Sequence, residues 1–139
     1  MDIPKTLIAD NIKRGTILHS YMFEDIDHGK FFVVIGVSEK FIAGFFFINS
    51  KVNKHLEGKQ EQLDMQYPLR SSDYEFLKHD SFLSATQIQK ISIDKLAESI
   101  SEKTTEIKGE MKQEHIDEVL DYARKSPLFS PKEIEMFLS

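Results

Sequence analysis

Lys30 stands immediately before one apolar run, Phe31 to Val37, and Asn49, Ser50 and Lys51 stand immediately after a second, Phe41 to Ile48. Two ammonium groups can hold a phosphate, and an amide and a hydroxyl beside them can orient it. His28 lies just ahead of Lys30, and His79 lies further along, in His79-Asp80-Ser81. Imidazoles titrate near neutrality, so these two are the candidates for proton transfer. Asp80 could orient His79, but adjacent residues of an extended segment point to opposite faces. Asp80 is therefore read first as a turn residue that bonds nearby amides. His19, in a mixed strand, and His115, in a late helical stretch, read as partly buried or surface residues, and His55 falls in a polar stretch. The histidines have no metal-ligand spacing, and no cofactor is expected. There is no glycine-rich phosphate loop, and Gly36-Val37-Ser38 lacks the following glycine of a nucleophile elbow.

The two apolar runs must position these groups. They are rich in β-branched and aromatic residues, each is the length of one strand, and only a few residues part them. This predicts a hairpin buried on both faces, at the centre of a small β-rich core. Phe45-Phe46-Phe47 is read as part of that core rather than as a base-stacking platform.

A chain of 139 residues makes one domain. It contains no cysteine, which excludes disulfides, thiolate metal sites and cysteine nucleophiles and fits a reducing compartment. No apolar stretch reaches membrane-spanning length, because Ser38, Glu39 and Lys40 break the run. The opening Met1-Asp2-Ile3-Pro4-Lys5 lacks the layout of a signal peptide, so a cytoplasmic protein is expected. The net charge of −5 argues against a general nucleic-acid coating protein but leaves room for a local basic site.

The remaining elements follow from periodicity and punctuation. Pro4 to Asn11 reads as a short helix, Thr16 to Phe23 as a first strand, and Lys51 to Gln62 as an exposed excursion. Gln66 to Leu69 reads as an edge strand because of Pro68. Phe82 to Ile91 reads as one strand. Ile93, Leu96, Ala97 and Ile100 form a helical stripe capped by Ser92. Thr104 to Lys108 reads as a last strand ended by Gly109, and Glu110 to Lys125 as the clearest helix, stopped by Pro127. Ser130, Pro131 and Glu133 then open a last short helix with a capping box. The fold class is mainly β with added helices, an α+β arrangement.

In this order of elements the chain resembles the MazF/PemK toxin family over roughly residues 12 to 125. The resemblance is carried by Lys13-Arg14-Gly15-Thr16-Ile17, by Gly29-Lys30-Phe31-Phe32-Val33-Val34-Ile35 and by Gly44-Phe45-Phe46-Phe47-Ile48-Asn49-Ser50. It continues in Leu77-Lys78-His79-Asp80-Ser81-Phe82-Leu83, in Gln87-Ile88-Gln89-Lys90-Ile91 and in Ile107-Lys108-Gly109-Glu110-Met111. It implies an SH3-like small barrel with a C-terminal helix, a homodimer, metal-independent cleavage of single-stranded RNA, and an antitoxin that fills the RNA groove. In such a barrel His28, Lys30, Asn49, Ser50 and Lys51 can face one groove. There His28 and His79 would act as acid and base, Lys30 and Lys51 would hold phosphate, and Asn49 and Ser50 would orient it. The family's Gly-x-Arg-Pro arginine is absent: Lys30-Phe31-Phe32 stands there, and Asn49 or Ser50 stands where the family has its catalytic threonine or serine. The alternative is a catalytically inert member of the fold that acts as a protein-interaction module in a mobile-element, defence or counter-defence setting.

Overall fold

A computed structural model describes residues 5–23, 29–51 and 57–139. Helix α1 (Lys5–Asp10) leads into β1 (Thr16–Ser20), β2 (Lys30–Val37) and β3 (Ile42–Asn49). A short α2 (Gln60–Leu63) precedes β4 (Gln66–Leu69), β5 (Ser81–Ser84) and β6 (Gln89–Ser92). Then come α3 (Ile93–Ser101), β7 (Thr105–Glu110), α4 (Gln113–Lys125) and α5 (Pro131–Glu133), the last running into a π-helical turn, Ile134–Leu138.

The strands form one antiparallel sheet in the order β4-β5-β3-β2-β1-β7, with β6 also paired to β3. The α+β class is that expected from the sequence. The strands do not close into a barrel: among the described residues β4 and β7 are not paired with each other.

The central hairpin is buried on both faces, as its composition requires. Phe32, Val34, Ala43 and Phe45 pack beneath α1 and α3, together with Ile8, Leu96 and Ala97. Val33, Ile35, Phe46 and Ile48 face the opposite core, against Val119 and Leu120 of α4 and the last turn's Phe137 and Leu138. A bulge between Val34 and Gly36 keeps the two faces in step with the partner strand.

Glycine supplies the seat for the last turn. A Cβ on Gly44 would come within 2.7 Å of the Phe137 ring, and one on Gly36 would collide with the Phe137 main chain. Arg14 closes the joint. Its guanidinium donates to the main-chain oxygens of Ile35 (2.8 Å), Phe137 (3.2 Å) and Ser139 (2.8 Å), and Arg124 donates to that of Leu138. The last helix therefore docks on its own sheet.

Several boundaries differ from the sequence reading. The first strand ends at Ser20, where Tyr21 turns to bond Thr104. Phe82 to Ile91 is two strands, because Ala85 to Ile88 turns so that both can lie along β3. Gly109 lies inside β7, where the register with β1 shifts, rather than ending it. Glu110 therefore still belongs to β7, and α4 begins at Gln113. The Ser92 cap and the Ser130–Glu133 capping box are as expected.

Candidate phosphate cleft at the sheet end

β2 opens at Lys30 and β3 closes at Asn49, and their antiparallel register runs from Phe31 opposite Ile48. One step beyond that pair, the two polar residues meet. Lys30 Nζ donates to Asn49 Oδ1 and lies 5.4 Å from the centre of the Phe47 ring. Partial burial pushes the Lys30 ammonium below its ordinary range, because desolvation penalises the charged form. Ser50 and Lys51, both exposed, continue the chain out of β3. Lys30, Asn49, Ser50 and Lys51 line one cleft of about 420 Å³, walled by Phe31 and Ile48.

This cleft brings together the strand-end groups singled out from the sequence. His79 is exposed and does not line it. The Ser71 main-chain N–H and hydroxyl both donate to Asp80, at 2.8 and 3.1 Å, which holds its carboxyl below the ordinary range. Asp80 thus bonds a main-chain amide, as expected, but one nine residues away, so it ties the 71–80 segment rather than a local turn. His28 and His55 lie outside the described residues. His115 sits against α4's neighbours, with Nδ1 2.7 Å from the Tyr74 hydroxyl. Among the described residues no group of three His, Asp or Glu side chains could hold a metal.

The cleft has a neighbour that sequence reasoning missed. Phe31 also walls a groove of about 280 Å³ shared by His19, Tyr21, three lysines (Lys78, Lys103 and Lys108) and one acid, Glu106. Strand alternation separates the two hollows: Lys30 leans toward Phe47 on one face, and Phe31 packs on His19 on the other, ring centres 4.6 Å apart. The signal in the sequence was slight, an aromatic and an imidazole at alternate positions, His19 and Tyr21, at the end of an apolar strand.

A larger hollow, about 690 Å³, lies between α3 and the rings of Phe23 and Phe45. Lys90, Lys95, Glu98 and Glu102 along its wall mix both signs of charge, so it has no single electrostatic preference. The strand-end cleft is smaller, and among the described residues its lining carries cations and no acid.

No protein-family model and no curated protein matches the chain. No described helix is long and apolar enough to cross a membrane.

Proposed function

We propose that the cleft at the open end of β2 and β3 binds the phosphate backbone of single-stranded RNA, in a MazF/PemK-like protein that works in the cytoplasm as a homodimer. The observation that carries the reading is the convergence of Lys30, Asn49, Ser50 and Lys51 in one cleft. Two ammonium groups, an amide and a hydroxyl suit a phosphodiester, and Lys30 is held in place by Asn49 rather than left to a flexible stem.

Metal-independent cleavage would additionally require a base for the 2′-hydroxyl and an acid for the leaving oxygen. Lys30, with its lowered pKa, suits the acid's place, and Ser50 beside it can orient the scissile phosphate. The exposed position of His79 outside the cleft favours a second reading, in which the protein is an inert member of the fold that engages a protein partner such as an antitoxin.

The test is one titration and one gel. Labelled single-stranded RNA is titrated with the protein in chelator, then separated by length, with Lys30→Ala and Asn49→Ala alongside. Binding that weakens in both variants supports the cleft. Cleavage that disappears with them adds the ribonuclease. RNA neither bound nor cut leaves the interaction module.

A further inference from the structure

The groove on the far side of Phe31 combines exposed aromatic surface with cations, the pairing that single-stranded nucleic acid requires. Tyr21 is 60% exposed, and its ring meets His19 edge-on at 4.9 Å between centres. The Tyr21 main-chain N–H donates to Thr104 at 3.0 Å, which fixes the tyrosine beside the end of α3. His19, in turn, packs on Phe31 and fills the space beside Gly29.

The cations have a less ordinary origin. α3 ends with Thr104 N–H donating to Ser99 (2.9 Å) and Lys103 N–H donating to Ile100 (3.0 Å), the paired bonds of a Schellman cap. The first residue past the helix in such a cap, here at φ +66°, takes a conformation in which glycine is favoured because it has no Cβ to strain. This chain has Lys103 there, on the wall of the groove. Lys108 and Glu106, both on the same wall, are paired at 2.7 Å and offset each other, which leaves Lys78 and Lys103 as the groove's net positive charge. Among the described residues neither Lys78 nor Lys103 is in an ion pair.

We infer that this groove is a second subsite for the same single-stranded RNA, in which a base stacks on Tyr21 and the adjoining phosphate meets Lys103 and Lys78. The inference rests on the reading of the strand-end cleft as a phosphate site. The two hollows share Phe31, so one strand passing around the end of β2 occupies both.

The experiment is anisotropy of a labelled long oligouridylate, in chelator, across a salt series, with Tyr21→Ala, Lys103→Gly and Lys30→Ala. Tyr21→Ala is expected to weaken affinity about 5- to 150-fold, the range of one stacked base. Lys103→Gly is expected to lower the slope of log affinity against log salt by about 0.7, one phosphate on a single strand. It should melt no lower than the wild type, because glycine suits the cap, so its loss of binding is not a loss of fold. If Lys30→Ala weakens binding while Tyr21→Ala and Lys103→Gly match the wild type, the second subsite is overturned and the cleft stands. If only Tyr21→Ala and Lys103→Gly weaken it, the groove stands and the cleft reading falls. A wild type that does not bind overturns both.

Discussion

The Phe137 ring fills the space that any side chain on Gly44 would need, its Cδ1 only 2.7 Å from where a Cβ would stand. The contact joins the middle of the central hairpin to the last turn of the chain, two elements far apart in sequence that share one core.

Gly44→Ala should therefore behave as an overpacking mutation, costing about 1–3 kcal/mol. Phe137→Ala should cost about 3–5 kcal/mol as a cavity in the same place. The two changes are coupled, so the double variant should lose less than their sum. Urea denaturation of the three variants gives the values, and strict additivity would show that the ring does not rest on Gly44.

Arg14→Lys should destabilise nearly as much as Arg14→Met. The guanidinium reaches three main-chain oxygens from a planar fork, and a single ammonium cannot reproduce that. Because Arg14 is exposed and water competes for the same oxygens, the three bonds together should contribute about 1.5–3 kcal/mol. Arg124→Met should cost less, because Arg124 also repels Arg14 and is second only to burial in lowering its pKa. Limited proteolysis after residue 125 should follow the same order, Arg14 variants being cut faster.

Lys30→Met should separate binding from stability. The ammonium's depressed pKa means that its folded environment disfavours the charge, a penalty present below the folded pKa and relieved as pH rises through it toward the unfolded value. Methionine keeps the stem over Phe47 without that penalty. We expect stability unchanged to within about 0.5 kcal/mol, or higher, together with weaker RNA binding. The Lys30 ε-ammonium followed by NMR should titrate below the ordinary lysine range, and a titration at or above that range would remove the basis of this prediction.

Tyr67 and Tyr74 make the fold sensitive to alkali. Tyr67 donates to Glu118 at 2.6 Å, and burial followed by that carboxylate raises its pKa. Burial is the main cause raising that of Tyr74, whose hydroxyl meets His115 and accepts from the Lys112 main chain at 3.1 Å. A group with a raised folded pKa contributes stability that is complete below its unfolded pKa and is lost as pH rises through the folded one. Stability should thus fall above about pH 10, the unfolded tyrosine value, and the fall should be shallower in Tyr67→Phe and Tyr74→Phe. At neutral pH, Tyr74→Phe should cost about 0.5–1.5 kcal/mol, the net contribution of a hydrogen bond such as that from the Lys112 amide. Thermal melts across pH read both effects.

The legible parts of the fold were those governed by local chemistry. Two continuous runs of Phe, Val and Ile marked the hairpin, Ser92 and Ser130 marked helix starts, and Pro68 marked an edge. What escaped was set by partners distant in sequence. Nothing in Ala85 to Ile88 is a glycine or proline, yet the chain turns there because two short strands must share the flank of β3. Gly109 looked like a terminator, but the mismatch between β1 and β7 uses it within a strand. The site divided in the same way. Lys30, Asn49, Ser50 and Lys51 were legible as the ends of one hairpin. The link from Tyr21 to Lys103 depends on β1 lying beside the α3–β7 turn, which only long-range pairing decides. His79 had the right chemistry for acid–base work, but its segment is tied back to Ser71 through Asp80.

The seating of Phe137 on Gly36 and Gly44 also sets an order of events during synthesis. β3 is complete at Asn49, but the residue that covers those glycines leaves the ribosome only after the whole of α3, β7 and α4 has been made. At about 5–20 residues per second, the hairpin waits for several seconds with one aromatic face uncovered. A nascent chain of this protein is in that interval a substrate for chaperones and for pairing with its neighbours on the same message, and truncation before residue 137 makes the interval permanent.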